Sequence, residues 1–497
     1  MVGLANPPAK HSYYAYFFRK QAPIHTVLAL NLCRIDREGF QSHAGRTLNT
    51  SVPSATPLPG PKASWLTGNL TEFGQNPIGF LEKCARDYGD FVSLRFLHQK
   101  VFLLNDPADI EEVLTTQARN FRKTLGYRTP VMRRIFGVGL VTSEGEHWVR
   151  QRRLAQPAFH RDRIATYATA ITGFTEEMMA SWKHGETRDI HHEMMQLTVR
   201  VVTKTLFNSP VPPELDDVIA TSTVVMQRFT TQWKWYRALF GLLPSVMSWR
   251  FSRGMRRLDD FIYSLIRERR AGGQDTGDLL SMLLQARYED GSAMSDEQLR
   301  DELTTLMVAG MDTTALALSW AFYLLSQNPA SMPPLHEELN RVLGGRTPVF
   351  ADLPQLNYTE MVVKETMRLY PAVWLIAREA LQDCSIGGHS VKAGESLFMS
   401  QWLKHRDPRF FKNAERFLPE RWRAEEIKQL PKYAYFPFGG GPRVCIGNSF
   451  AMMEAVLALA TISQKFQLTA APDYHVTPWP AITLYPKGGV FLKIVSR

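Results

Sequence analysis

One cysteine stands in a loop suited to a metal-binding thiolate. Cys445 lies within Phe438–Gly447, where three consecutive glycines permit backbone angles that other residues avoid. An apolar run typical of a helix follows at Asn448–Leu457. Free N–H groups at a helix start favour an anion, so we expect the pKa of this thiol to be lowered. The loop therefore predicts a thiolate ligand, with a buried structural cysteine as the alternative.

The residues around this cysteine resemble the heme-binding loop of the cytochrome P450 family. The matching positions are Phe438, Gly441, Arg443, Cys445 and Gly447. The resemblance implies that Cys445 is the axial thiolate of the iron in heme b (iron protoporphyrin IX), a ligand that favours cleavage of the O–O bond. It also assigns Phe438 and Arg443 to cofactor binding.

A long helical pattern at residues 295–327 has a weak centre. Ser295 is a good N-cap, but Ala309–Thr314 contains poor helix formers. A local rule broken inside a strong helix often marks a functional site. The resemblance implies that Asp312 and Thr313 are the acid and alcohol that deliver protons during catalysis. Without it, a kinked helix with threonine hydroxyls bonded to carbonyls is the better interpretation.

Cationic side chains are predicted to hold the heme propionates. Trp148 and Arg152 are four residues apart and share one helix face, and a guanidinium can bind a carboxylate through two hydrogen bonds. Spacing alone favours a solvated basic face, whereas the resemblance implies propionate binding by Trp148, Arg152, Arg378 and Arg443. The run before Arg378 reads as a strand and supplies candidate substrate contacts, with a core strand as a comparable interpretation. These contacts are Val373, Trp374, Leu375 and Ile376.

A second charged motif is predicted to be structural. Glu365 and Arg368 are three residues apart in a helix expected at Tyr358–Pro371, so they face the same side. The resemblance implies a buried ion network completed by Arg421 from a later loop. The family commonly has phenylalanine where this chain has Trp422, which is a mild departure.

Composition excludes several classes of protein. The chain has 497 residues, 44% hydrophobic and 21% charged, with a net charge of +10. Its four cysteines are scattered, which argues against a disulfide framework or a structural zinc site and indicates a reducing compartment. No zinc-finger spacing or other nucleic-acid signature is present, so we expect no nucleic-acid partner. The positive charge fits simple solubility, or a basic face for an acidic carrier or membrane.

The N-terminal segment and one aromatic stretch bear on where the protein lies in the cell. Residues 1–56 are predicted to be a poorly ordered basic extension, and residues 57–497 the heme domain. The apolar run Ile24–Cys33 is short beside the roughly 20 residues of a membrane span, so no transmembrane anchor is expected. We expect a cytoplasmic protein, with organelle targeting through the extension as the alternative. Trp233–Phe251 fits either a buried helix pair or a loop in peripheral membrane contact.

Together these motifs predict a mainly α fold with a smaller β-rich part near the N-terminus, as in the cytochrome P450 fold. The implied protein is a soluble, bacterial-like heme-thiolate monooxygenase. It would insert one atom of O2 into a small apolar substrate such as a fatty acid or terpenoid. Electrons would come from a separate acidic carrier: a ferredoxin, flavodoxin or reductase. The alternatives are a peroxygenase or isomerase with the same heme-thiolate, or a non-catalytic heme sensor.

Overall fold

The computed structural model describes residues 58–210, 219, 246–272, 275–288 and 291–497 of the chain. The predicted extension 1–56 and most of the aromatic stretch Trp233–Phe251 lie outside the described residues. Leu58–Arg497 forms one unit by its internal contacts.

Helices make up most of this unit, as the sequence predicts. Their bounds are α1 Leu70–Gln75, α2 Pro77–Tyr88, α3 Pro107–Glu111, α4 Pro130–Phe136, α5 Gly145–Ala155, α6 Arg161–Met179, α7 Ile190–Phe207, α8 Val246–Gly272, α9 Leu279–Gln285, α10 Asp296–Gln327, α11 Met332–Leu343, α12 Asn357–Leu369, α13 Gln401–Lys404, α14 Ala424–Ile427 and α15 Asn448–Lys465. A π-helical turn at Glu112–Thr116 continues α3, and short 3₁₀ turns lie at several helix ends.

Short strands form the smaller part of the fold. Their bounds are β1 Phe91–Phe96, β2 Gln99–Leu104, β3 Phe121–Lys123, β4 Thr187–Asp189, β5 Ile376–Ala380, β6 Cys384–Ile386, β7 His389–Val391, β8 Ser396–Met399, β9 Phe466–Thr469, β10 Thr477–Pro480, β11 Leu484–Lys487 and β12 Phe491–Ser496. The largest sheet has the order β1-β2-β8-β5-β3. β4, β12 and β9 form a second sheet, and β10–β11 and β6–β7 are two-stranded.

The main sheet differs from what local sequence patterns predict. β1 and β2 form an antiparallel hairpin whose turn is Leu97 and His98. β2 pairs in parallel with β8 and not only with its neighbour in sequence, so the β-rich part is not purely N-terminal. The strand predicted from Val373 begins only at Ile376. Parallel pairing joins distant segments, which local pattern cannot reveal.

The helix α10 runs through the centre of the fold. The Ser295 hydroxyl accepts the Gln298 N–H at 3.2 Å, which is the predicted N-cap. By length and apolar composition α10 could cross a membrane, but 78% of its most apolar window is buried inside the protein. It is therefore the core helix on which the surrounding elements pack.

The glycine in the middle of α10 serves helix packing. A Cβ atom at Gly310 would meet the Val202 side chain of α7 at 3.0 Å. One residue on, the Met311 carbonyl accepts a hydrogen bond from the Thr198 hydroxyl at 2.9 Å. The weak helix centre thus has a structural use, because it lets α7 cross closely.

Candidate active site

The cysteine loop is held by its own backbone. The Cys445 N–H donates to the Phe438 carbonyl at 3.0 Å, and the Val444 N–H donates to the Gly441 carbonyl at 3.1 Å. Gly441 has φ +62°, and a Cβ there would lie 1.7 Å from the Leu114 carbonyl oxygen. No side chain fits at this point. The loop is pinned against the π-helical turn, and α15 begins three residues after Cys445.

The accessibility of Cys445 indicates an internal cavity beside it. Cys445 has solvent-accessible surface although protein surrounds it closely enough for burial to raise the pKa of its thiol. An N–H of Gly447 and the charge of Arg152 oppose this shift without reversing it, so the predicted lowering of the pKa is wrong for the protein alone. Desolvation raises the pKa of the thiol more than the Gly447 N–H before α15 lowers it. A metal ion would have to displace the proton.

A cavity also explains the exposure pattern of α10. From Leu299 to Leu325 every residue is buried except Val308, Ala309, Gly310 and Thr313. Because helix on both sides of this patch is buried, its accessible surface faces the interior of the protein. Positions 309, 310 and 313 share one helix face. Next to this face, Glu454 of α15 lies close to the buried Thr314 of α10, so the helix that follows the cysteine loop packs against this part of α10.

The two members of the predicted acid–alcohol pair lie on different sides of α10. Thr313 lies on the accessible face, and its hydroxyl donates to the Ala309 carbonyl at 2.8 Å. Asp312 is buried, and its carboxylate accepts hydrogen bonds from the hydroxyls of Thr483 at 2.8 Å and Tyr485 at 2.5 Å. The acid is therefore turned toward the β11 hairpin.

An aromatic residue and two arginines line the approach to the cysteine loop. The guanidinium carbon of Arg443 lies 4.3 Å from the centre of the Trp148 ring, and that of Arg152 lies 5.8 Å from it. Arg152 donates to the Val444 carbonyl at 2.8 Å, next to Cys445. Arg443 is paired with the Glu144 carboxylate. The structure thus brings together residues that the sequence places about 300 positions apart.

Further cations join these two arginines, and one was missed from the sequence. Lys123 of β3 donates to the carbonyls of Leu140 at 3.1 Å and Val141 at 2.5 Å. Burial, with help from the charges of Arg443 and Arg378, lowers the pKa of Lys123 to about 7. A lone lysine in a three-residue strand carries no sequence signal. We call Lys123, Arg152, Arg378 and Arg443 the cation cluster.

The cation cluster carries more positive charge than its neighbours neutralise. Burial lowers the pKa of Arg152, of Arg378 and of Arg443. Glu144 is the carboxylate that opposes this shift for Arg378 and Arg443. Buried cations without counterions are costly, so the cluster suits a ligand with two carboxylates. Heme b carries two propionates, and these residues fit it.

The possible metal ligands near Cys445 also favour a cofactor-bound metal. Among the described residues, no three His, Cys, Asp or Glu side chains come together as metal ligands. A metal at Cys445 would therefore take its other ligands from a cofactor, as iron does in a porphyrin.

Two buried acids near the cavity were also missed. Burial raises the pKa of Glu302, next to Lys123, to about 8, and one of its oxygens has no hydrogen-bond partner. Burial likewise raises the pKa of Glu454 to about 8, and the nearby Thr314 hydroxyl opposes this shift. Neither oxygen of Glu454 lies within ordinary hydrogen-bonding distance of a partner. A charged residue inside the apolar run Phe450–Leu459 was the available signal.

The second charged motif forms a closed network behind the cysteine loop. Glu365 receives two hydrogen bonds from Arg368, at 2.8 and 2.9 Å, and one from Arg421 at 2.9 Å. The Trp422 indole N–H donates to the same carboxylate at 2.9 Å, so the departure from phenylalanine adds a donor. Arg368 also donates to the carbonyls of His405 and Ala414. We call Glu365, Arg368, Arg421 and Trp422 the Glu365 network.

The candidate substrate segment divides between cavity and core. Trp374 is buried, and its indole N–H donates to the Ala481 carbonyl at 3.0 Å. Ile376 belongs to a buried cluster of the main sheet. Val373 and Leu375 are only partly buried. The structure therefore leaves Val373 and Leu375 as the accessible members of the four.

Several arginines of the two basic clusters in the sequence, residues 133–153 and 267–270, are engaged within the protein. Arg134 pairs with Asp259 at 2.8 Å, Arg269 with Asp278 at 2.7 Å and Arg270 with Asp296 at 2.6 Å. Arg150 lies over the ring of Tyr288 at 5.9 Å. These arginines are therefore partly neutralised within the protein and contribute less to a positive surface that a partner would meet.

Comparisons with known proteins identify the family and the fold of this chain. The family model described as Cytochrome P450 matches residues 58–490. Cyclooctatin synthase of Streptomyces melanosporofaciens is 36% identical over 422 residues, 84% of this chain and 91% of that protein. Pentalenene oxygenase of Streptomyces avermitilis is 33% identical over 439 residues, 88% of this chain and 97% of that protein. The crystal structure of the cytochrome P450DA heme domain has a TM-score of 0.79 at 26% identity, covering 89% of this chain and 98% of that one.

Proposed function

The chain belongs to the cytochrome P450 family and is a heme b monooxygenase, and we propose that its substrate is an apolar molecule of the terpenoid class. Two relatives carry names of terpenoid oxidation, cyclooctatin synthase and pentalenene oxygenase. The observation that supports a substrate pocket in this chain is the accessible patch at Val308–Gly310 and Thr313 in the buried helix α10. A fatty acid is the second candidate, since the accessible lining is apolar.

Each site residue has a distinct task in this proposal. Heme b, when bound, supplies the chemistry by which one atom of O2 enters the substrate and the other leaves as water. Cys445 would ligate the iron through its thiolate. The cation cluster and Trp148 would hold the propionates, because charged hydrogen bonds between guanidinium and carboxylate are strong and directional. Phe438 packs partly against the main core and supports the loop.

The residues of α10 supply protons. The Thr313 hydroxyl faces the cavity and would turn from the Ala309 carbonyl to hold a proton there. Asp312 would then pass a further proton to Thr313. To do so, its carboxylate would first give up the hydrogen bonds that it accepts from Thr483 and Tyr485. Electrons would come from a separate acidic carrier that docks near the cysteine loop.

The first experiment tests the thiolate. We expect the dithionite-reduced protein with carbon monoxide to show the strongly red-shifted Soret band of a heme-thiolate, and Cys445→Ser to lose this band. Heme retained in Cys445→Ser with an unshifted spectrum relative to wild type would contradict ligation by Cys445. A protein without a thiolate spectrum and without product from any donor would support the heme-sensor alternative.

The second experiment tests the substrate class. Cyclic sesquiterpene or diterpene hydrocarbons should shift the heme spectrum on titration and be hydroxylated with a surrogate ferredoxin and reductase. Fatty acids of similar size are the matched comparison. Tighter binding and faster turnover of the fatty acids would contradict the terpenoid proposal.

The third experiment separates a monooxygenase from a peroxygenase or isomerase. Thr313→Ala should lower product formed per electron by roughly tenfold, with hydrogen peroxide in its place, because proton delivery is lost. Thr313→Ser keeps the hydroxyl and should stay coupled. An unchanged product yield in Thr313→Ala would favour the alternatives, which need no acid–alcohol pair.

A further inference from the structure

Two neighbouring turns beside the main sheet present large apolar side chains to solvent. Trp65 and Leu66 lie in the turn between Ser64 and Gly68, and Leu97 lies in the β1–β2 turn. Their exposed fractions are 86%, 54% and 45%. Exposed apolar residues are common singly, but a group of them indicates a contact surface. We call Trp65, Leu66 and Leu97 the apolar tip.

One arginine ties the two turns into a single structure. The Arg95 guanidinium donates to the carbonyl of Leu97 at 2.6 Å and to that of Trp65 at 3.3 Å, and also to Ser64. The Leu97 N–H donates to the Thr67 carbonyl at 3.1 Å. The members of the apolar tip are therefore adjacent in space.

The backbone at the apolar tip is strained. Leu97 has φ 55°, in the left-handed region where glycine and asparagine are preferred. A leucine here carries that strain while 45% of its surface stays exposed, so burial within the fold compensates it only in part. Such a departure from local preference is common at functional sites.

The two segments that carry the apolar tip contain basic residues and no acidic ones. Neither Leu58–Leu70 nor Phe91–Leu104 contains an aspartate or glutamate, while the two segments together contain Lys62, Arg95, His98 and Lys100. Lys100 lies 3.5 Å from Glu395, and Lys62 is exposed. Tryptophan and leucine flanked by lysine favour the boundary between lipid headgroups and acyl chains, and anionic lipids attract the lysines.

We propose that the apolar tip inserts into the surface of an anionic lipid bilayer and holds the protein there peripherally. The protein's net charge of +10 favours the same surface. This inference does not depend on the proposed substrate.

Co-sedimentation of the full-length holoprotein with vesicles tests the proposal. We expect binding to vesicles of equimolar phosphatidylcholine and phosphatidylglycerol, weaker binding to pure phosphatidylcholine, and release by salt. The triple variant Trp65→Ser, Leu66→Ser, Leu97→Asn should lower the partition coefficient by about tenfold or more, because three apolar side chains are lost from the lipid contact. Asparagine tolerates the left-handed backbone, so the variant should keep its heme spectrum and melting temperature.

A matched control and a direct readout accompany this variant. Phe491→Ser removes a similarly exposed residue, 46%, from strand β12 and should bind vesicles as the wild type does. Nitroxide-labelled lipids should quench a fluorescence component that is absent in Trp65→Phe. Equal binding of the triple variant and the wild type would overturn the proposal and place the contact elsewhere, such as in residues 1–57. Failure of the wild type to bind anionic vesicles would overturn it as well.

Discussion

The Glu365 network and the cation cluster use similar side chains in different balance. In the Glu365 network, carboxylate, guanidinium and indole groups satisfy one another, and Glu365 and Arg368 are completely buried. In the cation cluster, burial lowers the pKa of Lys123, Arg378 and Arg443, the charge of Arg378 lowers the pKa of both Lys123 and Arg443 further, and few carboxylates oppose these shifts. The first is complete within the chain alone. The second becomes complete only with an anionic ligand.

The difference teaches how to separate structural from functional charge. A buried ion network that satisfies its own hydrogen bonds needs no ligand, and breaking it should cost stability. A buried cluster of one sign stores repulsion that a ligand relieves, and breaking it should cost affinity for that ligand. Substitutions in the two regions should therefore affect different measurements.

The largest effect is expected in the Glu365 network. Glu365→Ala would leave the fully buried Arg368 without its carboxylate and lower the free energy of unfolding by about 3–5 kcal/mol. Denaturant unfolding and the yield of folded protein measure this. Glu360→Ala is the control, because its pair with Lys364 at 2.7 Å is partly exposed and contributes less than about 1 kcal/mol. Equal effects of the two substitutions would show that the network is not structural.

A pH effect is expected beside the cation cluster. The native protein holds a proton on Glu302 that the unfolded chain releases, so the free energy of unfolding should fall as pH rises from about 4.5 to about 8. Glu302→Gln cannot release a proton and should reduce this fall by about 2–4 kcal/mol. Urea unfolding at several pH values measures it. Parallel pH curves for the two proteins would exclude Glu302 as the titrating group.

The cation cluster should control heme retention. Arg378→Leu would remove a charged donor and speed heme dissociation by roughly 10–100-fold, while the melting temperature at saturating heme stays nearly unchanged. Heme transfer to a scavenger protein measures the rate. Arg86→Leu, at a side chain that is 71% exposed, is the control and should not change it. A lower melting temperature without faster heme loss would make Arg378 a structural residue.

The smallest effect is expected at Trp422. Trp422→Phe removes one donor from Glu365 but leaves the arginines, so we expect a loss of about 1–1.5 kcal/mol in the free energy of unfolding. Thermal and denaturant unfolding measure it, with Trp65→Phe as an exposed control. No change at Trp422 would show that the arginines alone satisfy the carboxylate.

Much of the helical framework could be predicted from the sequence. The start of α10 follows from the Ser295 cap, and α12 ends at Leu369, close to the predicted stop at Pro371. The contacts of Glu365 with Arg368 and Arg421 were predictable because the family motif names all three.

The parts that escaped prediction depend on contacts between distant segments. Lys123 joins the cation cluster only through the packing of β3, and Asp312 faces away from the cavity because Thr483 and Tyr485 bind it. The thiol pKa of Cys445 was predicted with the wrong sign because desolvation depends on the whole fold. Local pattern carries no information on any of these.

The parallel pairing of β2 with β8 has a consequence for synthesis in the cell. Val101–Leu104 can complete its hydrogen bonds only after Ser396–Met399 has left the ribosome. At about 5–20 residues per second, this edge of the N-terminal hairpin waits for roughly 15–60 s. During that time it is an open strand edge, apolar and ready to pair with another chain. Efficient production of this protein should therefore depend on chaperones that occupy nascent chains.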